Sequence, residues 1–249
     1  MTRARDIADS TETLNVDGGT IKLDGNYPVG VNNVALGNAA LDDGSLSGGA
    51  NTAIGPSALT ANTSGNFNTA LGSSALQNNT TGSDNSGLGR EALRLNTTGN
   101  YNVSVGTKAL YSNTTAEDNT AVGYQAAYSN TTANSQAAFG AYALYSNTTG
   151  AQNTAIGRQA LYLNTTANYN TAVGYQSLYS NTTGSVHVAV GNGALRSNTT
   201  GAQNVAVGFE ALYSNTTGGF NVGLGREALY NNTTASNNTA IGYQAGYSN

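Results

Sequence analysis

Cysteine and tryptophan are absent from this 249-residue chain, which contains a single histidine, two prolines and few charged side chains. Without cysteine there are no disulfide bonds and no thiolate metal sites. Charged residues make up only 9% and the net charge is −4, so we expect no nucleic acid and no anionic membrane as partner. No apolar run approaches the ~18 residues of a membrane span. No apolar segment follows the two N-terminal arginines, so no secretory signal is predicted.

The usual signatures of catalytic and metal sites are missing as well. The sequence has no Walker A lysine, no G-x-S-x-G elbow and no EF-hand loop. Its carboxylates do not recur at a spacing that suits general acid–base catalysis. The G-G-x-G-x-D repeat of calcium-binding β-rolls is also absent. We therefore expect a protein that is not an enzyme and that holds no cofactor or metal.

What the sequence does contain is an internal repeat. A glycine that follows an apolar residue returns every seventeen residues from Gly55 to Gly242, within the unit N-T-A-[IVL]-G-x-x-A-L-Y-S-N-T-T-[GA]-x-x. Seventeen residues are too few for the paired helices of helical solenoids, and Asn, Thr and Gly are poor helix formers. We predict an all-β chain, a parallel β-solenoid of about 12–13 coils with 17 residues per coil. Each coil should hold two strands, N-T-A-[IVL]-G and A-L-Y-S-N-T-T.

The repeat divides the chain into two parts. Residues 1–32 carry no copy of the unit and form a separate N-terminal segment. Residues 33–249 form the solenoid, with an irregular first coil at 33–50 that has one extra residue.

Two columns of the repeat never vary. We predict that the glycine forms a corner with positive φ, or a place where backbones approach closely. We predict that the asparagine of A-L-Y-S-N forms a ladder, because a side-chain amide both donates and accepts along the stack. The glycines are Gly55, Gly72, Gly89, Gly106, Gly123, Gly140, Gly157, Gly174, Gly191, Gly208, Gly225 and Gly242. The asparagines are Asn62, Asn79, Asn96, Asn113, Asn130, Asn147, Asn164, Asn181, Asn198, Asn215, Asn232 and Asn249.

Other columns suggest structural roles too. The Asn-Thr-Thr motif fits the N-glycosylation pattern, but we interpret it as a ladder asparagine followed by strand threonines. His187 replaces the asparagine that opens the unit, and we interpret it as a tolerated substitution. The Tyr column after Ala-Leu either seals the coil edge or the groove between chains, or binds glycans by stacking. Arg90-Glu91 and Arg226-Glu227 are either solvated or paired across coils or chains. The variable residue after each glycine should face solvent.

The apolar residues imply more than one chain. Neighbouring side chains of a strand face opposite sides, yet Ala-[IVL] and Ala-Leu-Tyr place apolar residues side by side. One apolar row should then face away from the chain's own core, which is unfavourable for a monomer. We expect a homo-oligomer, unless the corners turn both neighbours inward.

The unit resembles the head repeats of trimeric autotransporter adhesins, through NTAIG (51–55), NTALG (68–72), NTAVG (119–123) and NVAVG (204–208). The resemblance implies a left-handed β-roll and a homotrimer, intertwined or side by side. The seventeen-residue form with ALYSNTTG is similar to repeats of bacteriophage tail fibres. The segments MTRARDIADS and GGTIKLDGNYPVG (18–30) resemble the N-termini of phage structural proteins.

This resemblance implies a structural fibre of a phage virion that supports host attachment. We expect Arg3, Ala4, Arg5, Ile7 and Leu14 to dock on another virion protein, and a host glycan or protein to be a further partner. An adhesin needs a signal peptide and a membrane anchor, and neither is recognised in the sequence. A bacterial cell-surface adhesin stalk is the first alternative. An ice-binding solenoid is a remote alternative, since the threonines lack a spaced T-x-T array. We also expect that Asn249 lies in mid-coil.

Overall fold

A computed structural model describes residues 32–248, and these form two compact units, 32–115 and 116–248. The first unit contains β1 (Val34–Leu36), β2 (Thr52–Ile54), β3 (Thr69–Leu71), β4 (Ser86–Leu88) and β5 (Val103–Val105). The second contains β6 (Thr120–Val122), β7 (Ala137–Phe139), β8 (Thr154–Ile156), β9 (Thr171–Val173), β10 (Val188–Val190), β11 (Val205–Val207), β12 (Val222–Leu224) and β13 (Thr239–Ile241). The predicted all-β class is confirmed for this part of the chain.

Strands that follow one another in sequence pair in parallel within each unit. Thr154 of β8 lies opposite Thr171 of β9, seventeen residues later, and Val34 of β1 lies opposite Thr52, eighteen residues later. Each turn of the chain therefore returns to the same place one strand further along the sheet. The predicted parallel β-solenoid with about seventeen residues per coil, and its longer first coil, are confirmed.

The strands are short because glycine ends each of them. In β8, Thr154 and Ile156 favour extended backbone, and Ala155 between them faces inward and is fully buried. Gly157 follows with φ +133. A Cβ atom at this position would lie 2.5 Å from the carbonyl oxygen of Gly174 in the next coil. Only glycine therefore satisfies both the backbone angle and the close approach of the two coils.

The second predicted strand, A-L-Y-S-N-T-T, is wrong. In the coil that contains Leu144 this stretch is a series of turns and bends. Leu144 has a φ of 52°, and Tyr142, just before the stretch, has a φ of 61°. A left-handed residue reverses the side-chain direction, so alternation between two faces is lost and Ala143 and Leu144 both point inward. Coil-to-coil hydrogen bonds persist without a strand: the amide of Leu144 donates to the carbonyl of Ala160 at 3.0 Å.

The core of each unit is made of small and branched residues from the turns and the strand centres. Alanines from the strands, such as Ala53 and Ala155, pack with Ala-Leu pairs such as Ala58-Leu59 and Ala160-Leu161. All of these side chains are fully buried. The polar side chains buried beside them are almost all asparagines, which form the candidate site.

Candidate functional site

The inner asparagine column forms a hydrogen-bonded ladder along each unit. In the first unit, Asn96 Nδ2 donates to Asn79 Oδ1 at 2.8 Å. In the second, Asn164 Nδ2 donates to Asn147 Oδ1 at 2.8 Å, and Asn181 Nδ2 to Asn164 Oδ1 at 3.0 Å. The described members of the predicted column are buried. Asn249 lies outside the described residues.

Each amide of this ladder also fixes a turn within its own coil. Asn147 Nδ2 donates to the carbonyl of Gly150 at 2.9 Å, and Asn164 Nδ2 to that of Ala167 at 3.1 Å. Both protons of the amide and its oxygen are therefore used inside the protein. A buried amide with this bonding has no room for a glycan, so in the folded coil these Asn-Thr-Thr motifs serve the architecture.

A second column of buried asparagines opens each strand. Asn153 Oδ1 accepts the backbone N–H of Asn170 at 3.0 Å, and Asn170 Nδ2 donates to the carbonyl of Gly184 at 3.1 Å. In two coils this position is occupied by Gln136 or His187 in place of asparagine. Gln136 reproduces the pattern, since its Nε2 donates to the carbonyl of Gly150 and its Oε1 accepts from the Asn153 amide.

His187 reproduces this pattern with its ring. Nδ1 accepts the backbone N–H of Asn204 at 3.2 Å, and the ring also hydrogen-bonds with the backbone of Gly201. Because Nδ1 accepts, the imidazole is neutral with its proton on Nε2. Burial lowers the pKa of His187 to about 4, and the hydrogen bond with the Gly201 backbone opposes the shift. Among the described residues no group of three His, Cys, Asp or Glu side chains is placed to hold a metal ion.

The sheet presents an apolar outer face. In the strands, the aliphatic column points outward, as the sequence predicted for one of its apolar rows. Leu71 is 46% exposed, Ile156 42% and Phe139 39%. The first residues of the strands face the same way, for example Val103 and Val188. The alternative that corners turn both neighbours inward holds for Ala-Leu and fails for Ala-[IVL].

A third outward row was missed by the sequence reasoning. The residue before the strand-opening asparagine has positive φ, and several of these residues are exposed and apolar, including Phe67 at 65% and Tyr101 at 60%. Phe67, Thr69 and Leu71 alternate with the buried Asn68 and Ala70. Extending the period-two alternation of the strand back by two residues would have identified this row.

The tyrosine column forms a stack of rings. The ring centroids of Tyr145 and Tyr162 are 5.2 Å apart with an interplanar angle of 9°, and those of Tyr162 and Tyr179 are 5.2 Å apart with 4°. Arg196 takes the next place, with its guanidinium 5.4 Å from Tyr179 and 5.6 Å from Tyr213. Ring faces that cover one another are not open to a sugar. This geometry favours the sealing role of the column over glycan stacking.

Charged corners pair mainly within and between neighbouring coils. Arg226 Nε donates to Glu227 Oε1 at 3.0 Å within one coil. Glu91 contacts Lys108 of the next coil at 3.4 Å and Arg94 of its own coil at 3.8 Å. Such partly exposed pairs contribute little to stability.

Comparisons with known proteins add no family to this description. No protein-family model matches the chain, and neither a curated protein nor a solved structure is significantly similar to it. Arg3, Ala4, Arg5, Ile7 and Leu14, the predicted docking residues, lie outside the described residues. Within the described part, no helix has the length and apolar character needed to cross a membrane.

Proposed function

We propose that the chain is the shaft of a virion fibre, a left-handed homotrimeric β-solenoid that docks on the particle through its N-terminal segment. The observation that carries this proposal is the apolar outer face of the sheet. The two outward strand columns contain only Val, Ile, Leu, Phe, Ala, Thr and Ser. In β10 and β11 every outward strand residue is valine.

A second copy of the chain is the occupant that fits this face. The face repeats coil after coil within each unit and carries no charged side chain in its two strand columns. A long apolar stripe of this kind is unfavourable in water. Copies of one chain present the same stripe, so rotation about a shared axis buries all of them at once. The number three and the left hand come from the resemblance to trimeric adhesin repeats.

The internal hydrogen bonds suit a load-bearing shaft. In the second unit, strand amides, turn amides and two asparagine columns all connect each coil to the next. Bending the stack would break many of these bonds together. Three chains in one shaft would present three distal sites, and multivalent attachment raises affinity for a surface without new contacts.

The virion setting rests on the similarity of the ALYSNTTG unit and of the N-terminal segment to phage proteins. Deleting residues 1–14 should leave a folded trimer that no longer assembles onto particles. Unchanged incorporation, measured by quantifying the chain in purified particles, would contradict the docking role. Detection of the chain on a bacterial envelope in place of particles would favour the adhesin alternative.

The outer face has a separate test. Ile156→Lys places a charge in the outward column, and Asn192→Lys places one on an exposed corner as the matched control. We expect the first variant to lose self-association and the second to retain it, as measured by size-exclusion chromatography with light scattering. Equal mass for both variants would contradict the use of this face.

The structure does not favour ice binding. The hydroxyl of Thr148 donates to the carbonyl of Thr165 at 3.1 Å, while Thr149 is exposed. One hydroxyl of the Thr148-Thr149 pair is thus bound to the next coil, and the same bond recurs at Thr165, Thr182 and Thr199. A single row of threonines faces solvent at this place in the coil.

A further inference from the structure

His187 is the one ionisable side chain found in either asparagine column. It is 1% exposed and lies between Asn170 of the preceding coil and Asn204 of the following coil. At the other positions of this column an amide supplies one donor and one acceptor, and that amide does not titrate. A neutral imidazole also supplies one donor and one acceptor, which explains why the substitution fits.

The hydrogen bond at Nδ1 of the ring exists only in the neutral form. The Nδ1 lone pair accepts the Asn204 N–H at 3.2 Å. A second proton would sit on Nδ1 and point at the proton of that amide. The coil would then lose an acceptor and gain a buried charge with no partner, and both changes are costly.

Among the described residues, no charged side chain shifts the pKa of the ring. The polar groups beside the ring are the backbone N–H of Asn204 and Nδ2 of Asn198, while Asn170 Oδ1 accepts the backbone N–H of His187. None of them is charged, and Asn198 presents its Nδ2, a donor, at 3.2 Å from Nε2. Burial and two backbone groups alone set the protonation of the ring.

We propose that His187 makes its coil an acid-sensitive point in the solenoid, which opens locally when the imidazole takes up a second proton. The other coils of the second unit have asparagine or glutamine at this position, and neither side chain titrates. This acid response is a property of the single chain and does not depend on the fibre function.

The expected pH range follows from linkage. The pKa of His187 is about 4 in the closed coil and 6.5 when the ring is free in water. Because the folded value is the lower one, the stability of the coil is complete above about pH 6.5 and falls as the pH drops towards 4. Within that range the opening equilibrium takes up one proton, so it should rise about tenfold per pH unit.

Amide hydrogen exchange at about pH 7.5 and about pH 4.5 tests this on the full chain, after correction for the intrinsic exchange rate. His187→Asn and His187→Gln are the matched controls, since both side chains occur naturally in this column. We expect amides around 185–204 of the unmodified chain to lose about 100-fold more protection on acidification than in either variant. Equal loss in all three proteins would overturn the proposal.

A second variant should give another coil the same sensitivity to acid. Asn153→His places an imidazole at the equivalent position two coils earlier. If this protein is folded at neutral pH, acid should open residues around 151–170 as well. An acid-stable coil in that variant would overturn the proposal, because the same geometry would then fail to produce the response.

Discussion

The side-chain amide of Asn164 donates to the side-chain oxygen of Asn147 at 2.8 Å, across one coil of the solenoid and entirely out of contact with water. The same nitrogen donates to the carbonyl of Ala167 at 3.1 Å. One side chain thus joins two coils and fixes a turn. An architecture with few large apolar residues depends on such repeated polar contacts.

Asn164→Ala should therefore be strongly destabilising. The change leaves the Asn147 oxygen without its donor and one amide proton of Asn181 without its acceptor, and each buried polar group left unpaired costs about 1–3 kcal/mol. We expect a loss of about 3–5 kcal/mol in the free energy of unfolding, measured by urea titration. Asn192→Ala, on an exposed corner, is the control and should change it by no more than about 0.5 kcal/mol. Similar losses for both variants would contradict the ladder's importance.

The glycine corner gives an equally sharp comparison. Gly157 has φ +133, and an added Cβ would lie 2.5 Å from the Gly174 oxygen. Gly157→Ala should cost about 3 kcal/mol or more, because neither the angle nor the space suits alanine. At Gly44 an added Cβ meets nothing within 4 Å. Gly44→Ala should therefore have a melting temperature close to that of the unmodified chain. Circular dichroism melting of the two variants decides this, and a small shift for Gly157→Ala would be the contrary result.

Replacing a residue that has left-handed backbone with glycine should stabilise the coil. Gln152 is exposed with φ 58, and left-handed backbone costs a non-glycine residue about 1–3 kcal/mol. Glycine relieves this strain but gains about 0.5–1 kcal/mol of freedom when unfolded. We expect Gln152→Gly to raise the free energy of unfolding by up to about 1 kcal/mol, which a urea titration would show as a higher midpoint. A lowered midpoint would show that the side chain itself contributes to the fold.

The tyrosine stack predicts an alkaline response. Burial raises the pKa of Tyr162, and the neighbouring Tyr145, Tyr179 and Tyr142 rings raise it further. Because the folded value is the higher one, stability is complete below the ordinary tyrosine pKa of about 10 and is lost as pH rises through the folded value. Tyr162→Phe should lose less stability between neutral and strongly alkaline pH. Phenolate absorbance should show fewer late-titrating groups in that variant, and an unchanged titration curve would contradict the assignment.

Much of this fold was predictable from period and columns. The interval between Gly140 and Gly157 set the coil length, and the constant asparagines indicated buried amides. The turn path was not predictable, because the left-handed conformation of Leu144 has no local signal: leucine ordinarily avoids it. Tertiary burial of Ala143 and Leu144 overrides that preference.

For the candidate site, too, some features could be predicted from the sequence and others required the structure. Outward placement of Ile156 followed from strand alternation. The sequence identified His187 as a substitute for the asparagine that opens the unit, but the need for a neutral ring became visible only from its contact with Asn204. That the tyrosine rings cover one another's faces could be seen only from their stacking distances and angles in the structure.

If copies of this chain cover one another's apolar face, the purified protein must be an oligomer. Sedimentation equilibrium of the purified full-length chain over a wide concentration range measures the mass of the assembly directly. We expect a mass three times the chain mass of 25.2 kDa. A mass of 25.2 kDa at every concentration, with the solenoid folded and soluble, would contradict it.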